Sequence, residues 1–104
     1  MPGEQWHALL LHAIKAGDLQ LAFYPVLNRD GMMLHQEGMV RLRTEAGKPL
    51  VMAGEFMPIV AHFGLTPLVD LAVMRLAIQH LSTYAGQVAI NIFSGLYRQL
   101  DISQ

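Results

Sequence analysis

Leu21-Ala22-Phe23-Tyr24-Pro25-Val26, then Asn28-Arg29-Asp30-Gly31, then Met32-Met33-Leu34-His35-Gln36-Glu37-Gly38-Met39-Val40-Arg41-Leu42-Arg43 is the stretch on which the fold turns. Gln20 to Leu27 reads as a strand, because Phe23, Tyr24 and Val26 favour extended backbone. Asp30-Gly31 tolerates the positive φ that a tight reversal needs, so the chain comes back on itself. Met32 to Arg43 then runs extended as the antiparallel partner. Alternation along it puts Met33, His35, Glu37, Met39 and Arg41 on one face, with Met32, Leu34, Gln36, Gly38 and Val40 on the other. A carboxylate and a guanidinium four residues apart therefore point the same way. Read without context, such a face is a solvated strand surface, since charged side chains usually meet water.

Outward from this hairpin the signals are helical. Residues 4 to 16 place Trp6, Leu9, Leu10, Ala13 and Ile14 at helical spacing, with Gly17 as a stop. Glu45 to Pro49 is a polar loop. Ala53 to Phe63 reads as a helix ended by Gly64. Thr66-Pro67 opens the next one, with Thr66 as N-cap and Pro67 at the first helical position, and it runs to about Ser82. That helix is apolar around most of its circumference, as expected of one lying between a sheet and other helices. Gln87 to Phe93 closes the pattern as a strand, Ile90 and Ile92 on one face and Asn91 on the other. A helical crossover between the second and third strands implies that they run parallel. The order predicts an α/β fold of three strands, the first antiparallel, with about three helices: the opening of an α/β barrel or open sheet.

Composition narrows the function. The 104 residues make at most one small domain, yet 53% are hydrophobic and 14% charged, against roughly 25% charged in an average domain. So many positions meant for burial point to a missing covering element or to self-association. Net charge is −1, with no basic run that would track a nucleic acid. Cysteine is absent, which removes disulfides and thiolate metal sites. Nothing at Met1 resembles a signal peptide. The apolar run Leu65–Leu81 is interrupted by Pro67, Asp70, Arg75 and His80, so it reads as a buried helix rather than a membrane span. The expected location is the cytoplasm, with no direct membrane insertion. His35-x-Glu37 echoes zinc deaminases, but their partner cysteines are missing. His7 and His12 lie five apart, about 140° around a helix, and His62 and His80 sit on separate helices, so the histidines read as partly exposed or hydrogen-bonded side chains rather than ligands, and the seven methionines as core filling.

Leu21–Val26 followed by Gly31 and His35–Leu42 resembles the start of EAL domains, which carry a Tyr-Gln-Pro-like strand and then Glu-Ala-Leu-x-Arg. Ala53-Gly54-Glu55-Phe56-Met57-Pro58-Ile59-Val60-Ala61-His62-Phe63-Gly64-Leu65 is similar to the family's Phe-Ile-x-x-Ala-Glu-x-x-Gly-Leu helix. Val88-Ala89-Ile90-Asn91-Ile92-Phe93 is similar to its Val-Asn-Leu-Ser strand. The resemblance runs in order and register over residues 21–99. The His-Gln-Glu start of the motif and the Arg-Leu-Arg after it most resemble the EAL modules of membrane-anchored cyclic di-GMP receptors of the LapD type, which also carry HAMP and GGDEF modules.

The resemblance implies a TIM-barrel-type (β/α)8 EAL domain, of which residues 1–104 are the N-terminal part; a full barrel takes about 250 residues. It implies that Glu37 and Asn91 are metal ligands when the whole barrel is present, for Mg²⁺ or Mn²⁺ in an intact active parent. It implies that Arg41, with Tyr24 and Met39 beside it, contacts the bound nucleotide. The departures are that Gly38-Met39 replaces Ala-Leu, Tyr24 replaces a glutamine, His62 a glutamate, and Phe93 a small polar residue. The family's later carboxylates, including an Asp-Asp pair, and its catalytic lysine are expected beyond Gln104, and no Asp-Asp dipeptide occurs here. The expectation is a noncatalytic cyclic di-GMP module, with no cofactor and at most weak nucleotide binding for this chain alone, self-association, and GGDEF or HAMP modules in a parent anchored to the inner membrane. The rival readings are a piece of an active phosphodiesterase and a dimerisation module without nucleotide.

Overall fold

A computed structural model of the protein describes residues 3–44 and 47–93. Met1, the loop residues Glu45 and Ala46, and the family resemblance beyond Phe93 lie outside the described residues. The elements in order are α1 (Gly3–Ala16), β1 (Leu19–Leu27), β2 (Met33–Leu42), β3 (Val51–Met52), α2 (Ala53–His62), α3 (Thr66–Leu81) and β4 (Val88–Ile90).

Helix α1 buries Leu10 and Ala13 and packs Trp6, Leu9 and Ile14 against the core, the stripe expected from their spacing. It ends at Gly17, whose φ of 81° lets the Asp18 N–H turn back to the Ala13 carbonyl at 2.8 Å. This is the six-to-one bond of a Schellman cap, and it swings the chain straight into β1. The same device ends α2. Gly64 takes φ 70°, Leu65 N–H donates to Val60 O at 2.9 Å, and both of those side chains are buried.

That cap corrects the expected start of α3. Leu65, not Thr66, is the N-cap, and no side chain caps the helix. The Schellman turn already fixes Leu65, so its carbonyl accepts from Leu68 and Val69 (3.0 and 3.1 Å) and closes the first turn one residue early. Pro67 then sits at the second helical position, where its missing N–H has no intrahelical partner to lose.

Strands β1 and β2 pair antiparallel, from Leu19 opposite Leu42 to Leu27 opposite Met33, with a register shift between Val26 and Leu27. In the reversal Gly31 has φ 80°, and the Asn28 side-chain oxygen accepts from the Asp30 and Met32 N–H groups at 2.9 and 3.0 Å. Strand β4 pairs parallel with Gln36–Gly38 of β2, as the crossover requires. The three expected strands are joined by a fourth, β3, antiparallel to Arg41–Leu42. Two residues carry no alternation, so β3 was not legible as a strand. Strand β4 is also shorter than the expected 87–93. Its pairing with β2 stops at Gly38, and β3 takes up that strand again at Arg41.

The back of the sheet carries Leu19, Val40 and Leu42, all buried, against Phe56 and Val60 of α2 and Val69 and Val73 of α3. The outward side of α3 is different. Leu71, Met74, Ile78 and Leu81 stay exposed, Ile78 at 70%. At 3-4-3 spacing they form one apolar seam along the helix.

Candidate functional site

The front of the sheet is laid out by register. In one row Tyr24, Glu37 and Ala89 lie side by side; in the next, Ala22 and Met39; in the third, Gln20, Arg41 and Met52. Asn91 follows Ala89 by two residues, so alternation gives it the same face as Glu37 and Met39. The expected strand contained Asn91; it instead stands just past the end of β4. There it lines a cleft of about 140 Å³ together with Met39 and Phe93. Register therefore places Tyr24, Glu37, Met39 and Arg41 on one surface, while the cleft that Asn91 lines also reaches Gly38, Val40 and Val73 on the helix side of the sheet.

Arg41 is 9% exposed. Its row and that of Tyr24 are about 13 Å apart along the strands, with only the short Ala22 between them on β1. The side chain lies back across that gap. Nη2 donates to the Tyr24 hydroxyl at 3.4 Å, Nη1 donates to the Val40 carbonyl at 3.1 Å, and the guanidinium stands 6.0 Å from the centre of the tyrosine ring. A cation over an aromatic face gains about 0.5–1 kcal/mol at a partly open site. Arg41 is thus held by neutral partners and makes no ion pair with Glu37. The fork keeps its charge available, while Tyr24, half-exposed, forms the outer wall beside it.

Glu37 and Asn91 are oxygen donors, the chemistry that hard cations such as Mg²⁺ and Mn²⁺ take. Two such donors would leave most of that cation's shell to other ligands. Among the described residues no group of three or more histidines, cysteines, aspartates or glutamates could hold a metal by itself.

Two polar groups that the sequence analysis did not assign to the site organise the surroundings. Asp70, treated there only as an interruption of an apolar run, is 3% exposed on α3 and accepts from the Phe93 N–H at 2.8 Å. Its signal was present: a carboxylate next to Val69 and three residues before Val73, both of which face inward. His80, at the last turn of α3, donates from Nε2 to Gln36 Oε1 at 2.8 Å and stacks on Phe23 at 3.7 Å. Gln36 alternates away from Glu37, so this half of the motif anchors the helix rather than the site. Of the other histidines, His7 stacks on Phe63 and His62 meets its edge, both exposed to solvent.

A hairpin whose second strand pairs parallel with the strand after a helical crossover, carrying an acid and an arginine on its open face, defines the class: the opening of a (β/α)8-type barrel with an antiparallel first strand. The sequence profile of the EAL domain matches residues 7–100, and the chain belongs to that family.

Solved structures agree on the fold. The Vibrio cholerae LapD S helix-GGDEF-EAL protein, both apo and bound to c-di-GMP, is similar at TM-score 0.77 and 21% identity over 97% of this chain and 25% of that one. The FimX EAL domain from Pseudomonas aeruginosa, bound to c-di-GMP, gives TM-score 0.75 and 23% identity over 94% of this chain and 43% of that one. The PaMucR phosphodiesterase in its c-di-GMP complex gives 0.64 and 22% over 95% and 42%. The chain therefore spans between a quarter and somewhat under half of these structures. No curated protein matches the sequence.

Proposed function

We propose that this chain is the N-terminal part of an EAL module that recognises cyclic di-GMP without hydrolysing it. The observation that carries the reading is Arg41, nearly buried and steadied by Tyr24 and Val40 on the same face as Glu37. A guanidinium fork aimed along such a face suits a phosphate oxygen. Tyr24, in place of the family's glutamine, offers a phenol and a ring to the same ligand, and Met39 a pliant apolar floor. Glu37 and Asn91 would hold a divalent cation only with ligands from the rest of a barrel, and such a cation would offset phosphate charge. Cleavage assisted by two metals needs several converging carboxylates. Glu37 is the one carboxylate in the three rows described, so cleavage would need others from the rest of a barrel. It is the departures from the family pattern at Tyr24 and Gly38-Met39 that favour recognition. The LapD and FimX structures, bound to c-di-GMP, favour the ligand; the PaMucR phosphodiesterase represents the rival, an active parent.

A GGDEF module in the parent is proposed from the composition of the LapD relative, and a HAMP module and inner-membrane anchor from the family resemblance. Among the described residues no helix is long and apolar enough to cross a membrane.

The test is calorimetric titration with cyclic di-GMP, together with a hydrolysis assay in Mg²⁺ and Mn²⁺. The 104-residue chain should bind weakly or undetectably and show no turnover. In a protein carrying the remaining barrel, Arg41→Ala should weaken binding by about 1.5–3 kcal/mol, the range for a hydrogen bond to a charged group. Turnover by the 104-residue chain that disappears in Glu37→Ala would overturn the noncatalytic reading. Unchanged binding in Arg41→Ala would remove Arg41 from the site.

A further inference from the structure

We propose that Asp70 is a positioning residue for Asn91, acting through the backbone of Phe93. The inference rests on the reading of Asn91 as a site residue. Asp70 sits on α3 among residues that face the core, 3% exposed beside Val69 and three residues before Val73. A carboxylate there is costly compared with an apolar side chain of similar size, because its charge leaves water. Among the contacts that the position obtains is a charge-assisted hydrogen bond, the stronger kind, from the Phe93 N–H at 2.8 Å.

The bond falls where the sheet has run out of partners. Strand β4 ends at Ile90, and its neighbour β2 pairs with β3 from Arg41 onward. Among the described residues no strand pairs with Asn91, Ile92 or Phe93, and a segment without a ladder has more than one backbone conformation open to it. Asp70 fixes the third of the three to a helix that is itself locked into the core. With Ile90 held in the sheet and Phe93 held by α3, the intervening backbone is clamped at both ends. Asn91 is then presented into the cleft that it shares with Met39 and Phe93. A carboxylate tolerated at a core position, bonded to the segment that carries a candidate ligand, is the pattern of a group kept for placement rather than for stability.

The experiment is NMR on the full labelled chain in four forms: wild type, Asp70→Asn, Phe93→Pro and Val69→Ala. Asp70→Asn keeps the shape and replaces the charged acceptor with a weaker neutral one. Phe93→Pro deletes the bond altogether from the donor side and keeps the carboxylate, so the question stays answerable if the first variant folds poorly or keeps a residual bond. Val69→Ala loosens the same helix without touching the bond. The decisive readout is the set of Asn91 χ1 couplings, which a purely structural role would not move selectively. In wild type they should report one rotamer, and in Asp70→Asn and Phe93→Pro they should collapse toward averaged values. In Asp70→Asn the Phe93 amide should also exchange roughly tenfold faster or more, as expected for losing a charged partner, while Val40 and Leu42 amides stay within about twofold. Val69→Ala should leave the Asn91 couplings at wild-type values. Unchanged Asn91 couplings in Asp70→Asn, or equal changes in Val69→Ala, overturn the proposal. Whether Asn91 takes a cation is read separately, by Mn²⁺ broadening of its side-chain amide in a protein carrying the rest of the barrel. Failure there would refute Asn91 as a ligand and leave the couplings to judge the clamp.

Discussion

Restoring the family's alanine at Gly38 tests how tightly the back of the sheet is packed. A Cβ built on Gly38 would stand 3.2 Å from Phe23 Cε1 and 3.4 Å from both Ile90 Cγ2 and Leu21 Cδ1. The last two distances are ordinary apolar contact; the first requires Phe23 to retreat by a few tenths of an ångström. Two effects favour Gly38→Ala: lower freedom of the unfolded chain, about 0.4–1 kcal/mol, and a buried methyl, about 0.8 kcal/mol. Against them stands overpacking, about 1 kcal/mol at the low end of its usual range. The low end applies because Phe23 is only half-buried and can yield outward, although its other face is stacked on His80. The net expectation is stabilisation by about 0.5 kcal/mol, a rise in Tm of about 2–4 °C for a chain of this size. Thermal and urea unfolding followed by circular dichroism would measure it. A double-mutant cycle with Phe23→Leu isolates the contact and should give a coupling below about 0.5 kcal/mol. A fall in Tm with a coupling above about 1 kcal/mol would show that the Phe23–His80 stack is rigid and that the reasoning is wrong. The methyl lies on the face opposite Glu37 and Met39, so the Glu37–Arg41 face should not change, but Gly38 borders the cleft that Asn91 lines and the methyl would narrow it.

Phe56 is fully buried and among the largest side chains of the core; Phe56→Ala should cost about 3–5 kcal/mol in denaturant unfolding, and a loss under 1 kcal/mol would mean that α2 is not docked as described. Asn28→Ala removes the acceptor of two turn N–H groups and should cost about 1 kcal/mol, with faster amide exchange at Asp30 and Met32 as the local signature. The apolar seam of Leu71, Met74, Ile78 and Leu81, together with an edge of β4 that no strand among the described residues covers, should drive self-association. Light scattering should show species larger than a monomer, and Ile78→Glu with Leu81→Glu should shift them toward it; a stable wild-type monomer at high concentration would count against the seam.

The sequence by itself determined the hairpin, the parallel return and the shared face of Glu37 and Arg41. These rest on local information: a reversal signalled by Asp30-Gly31, period-two alternation, and glycines 17 and 64 that end helices through left-handed caps. The family resemblance supplied the roles expected of Glu37, Arg41 and Asn91, and their order along the chain was enough to assign the fold. What only the tertiary structure decided depends on groups distant in sequence. Strand β3 exists because Arg41–Leu42 has an open edge, not because Val51–Met52 has a pattern. Leu65 became the cap of α3 because the end of α2 had already placed its carbonyl. Arg41 could have met Glu37 or solvent on the evidence of alternation; it is drawn instead over Ala22 to Tyr24, since the register of a partner strand sets that path. Asp70 looked like a break in an apolar helix until its distance to Phe93 was known, because a hydrogen bond spanning 23 residues of sequence leaves no periodic trace along the chain.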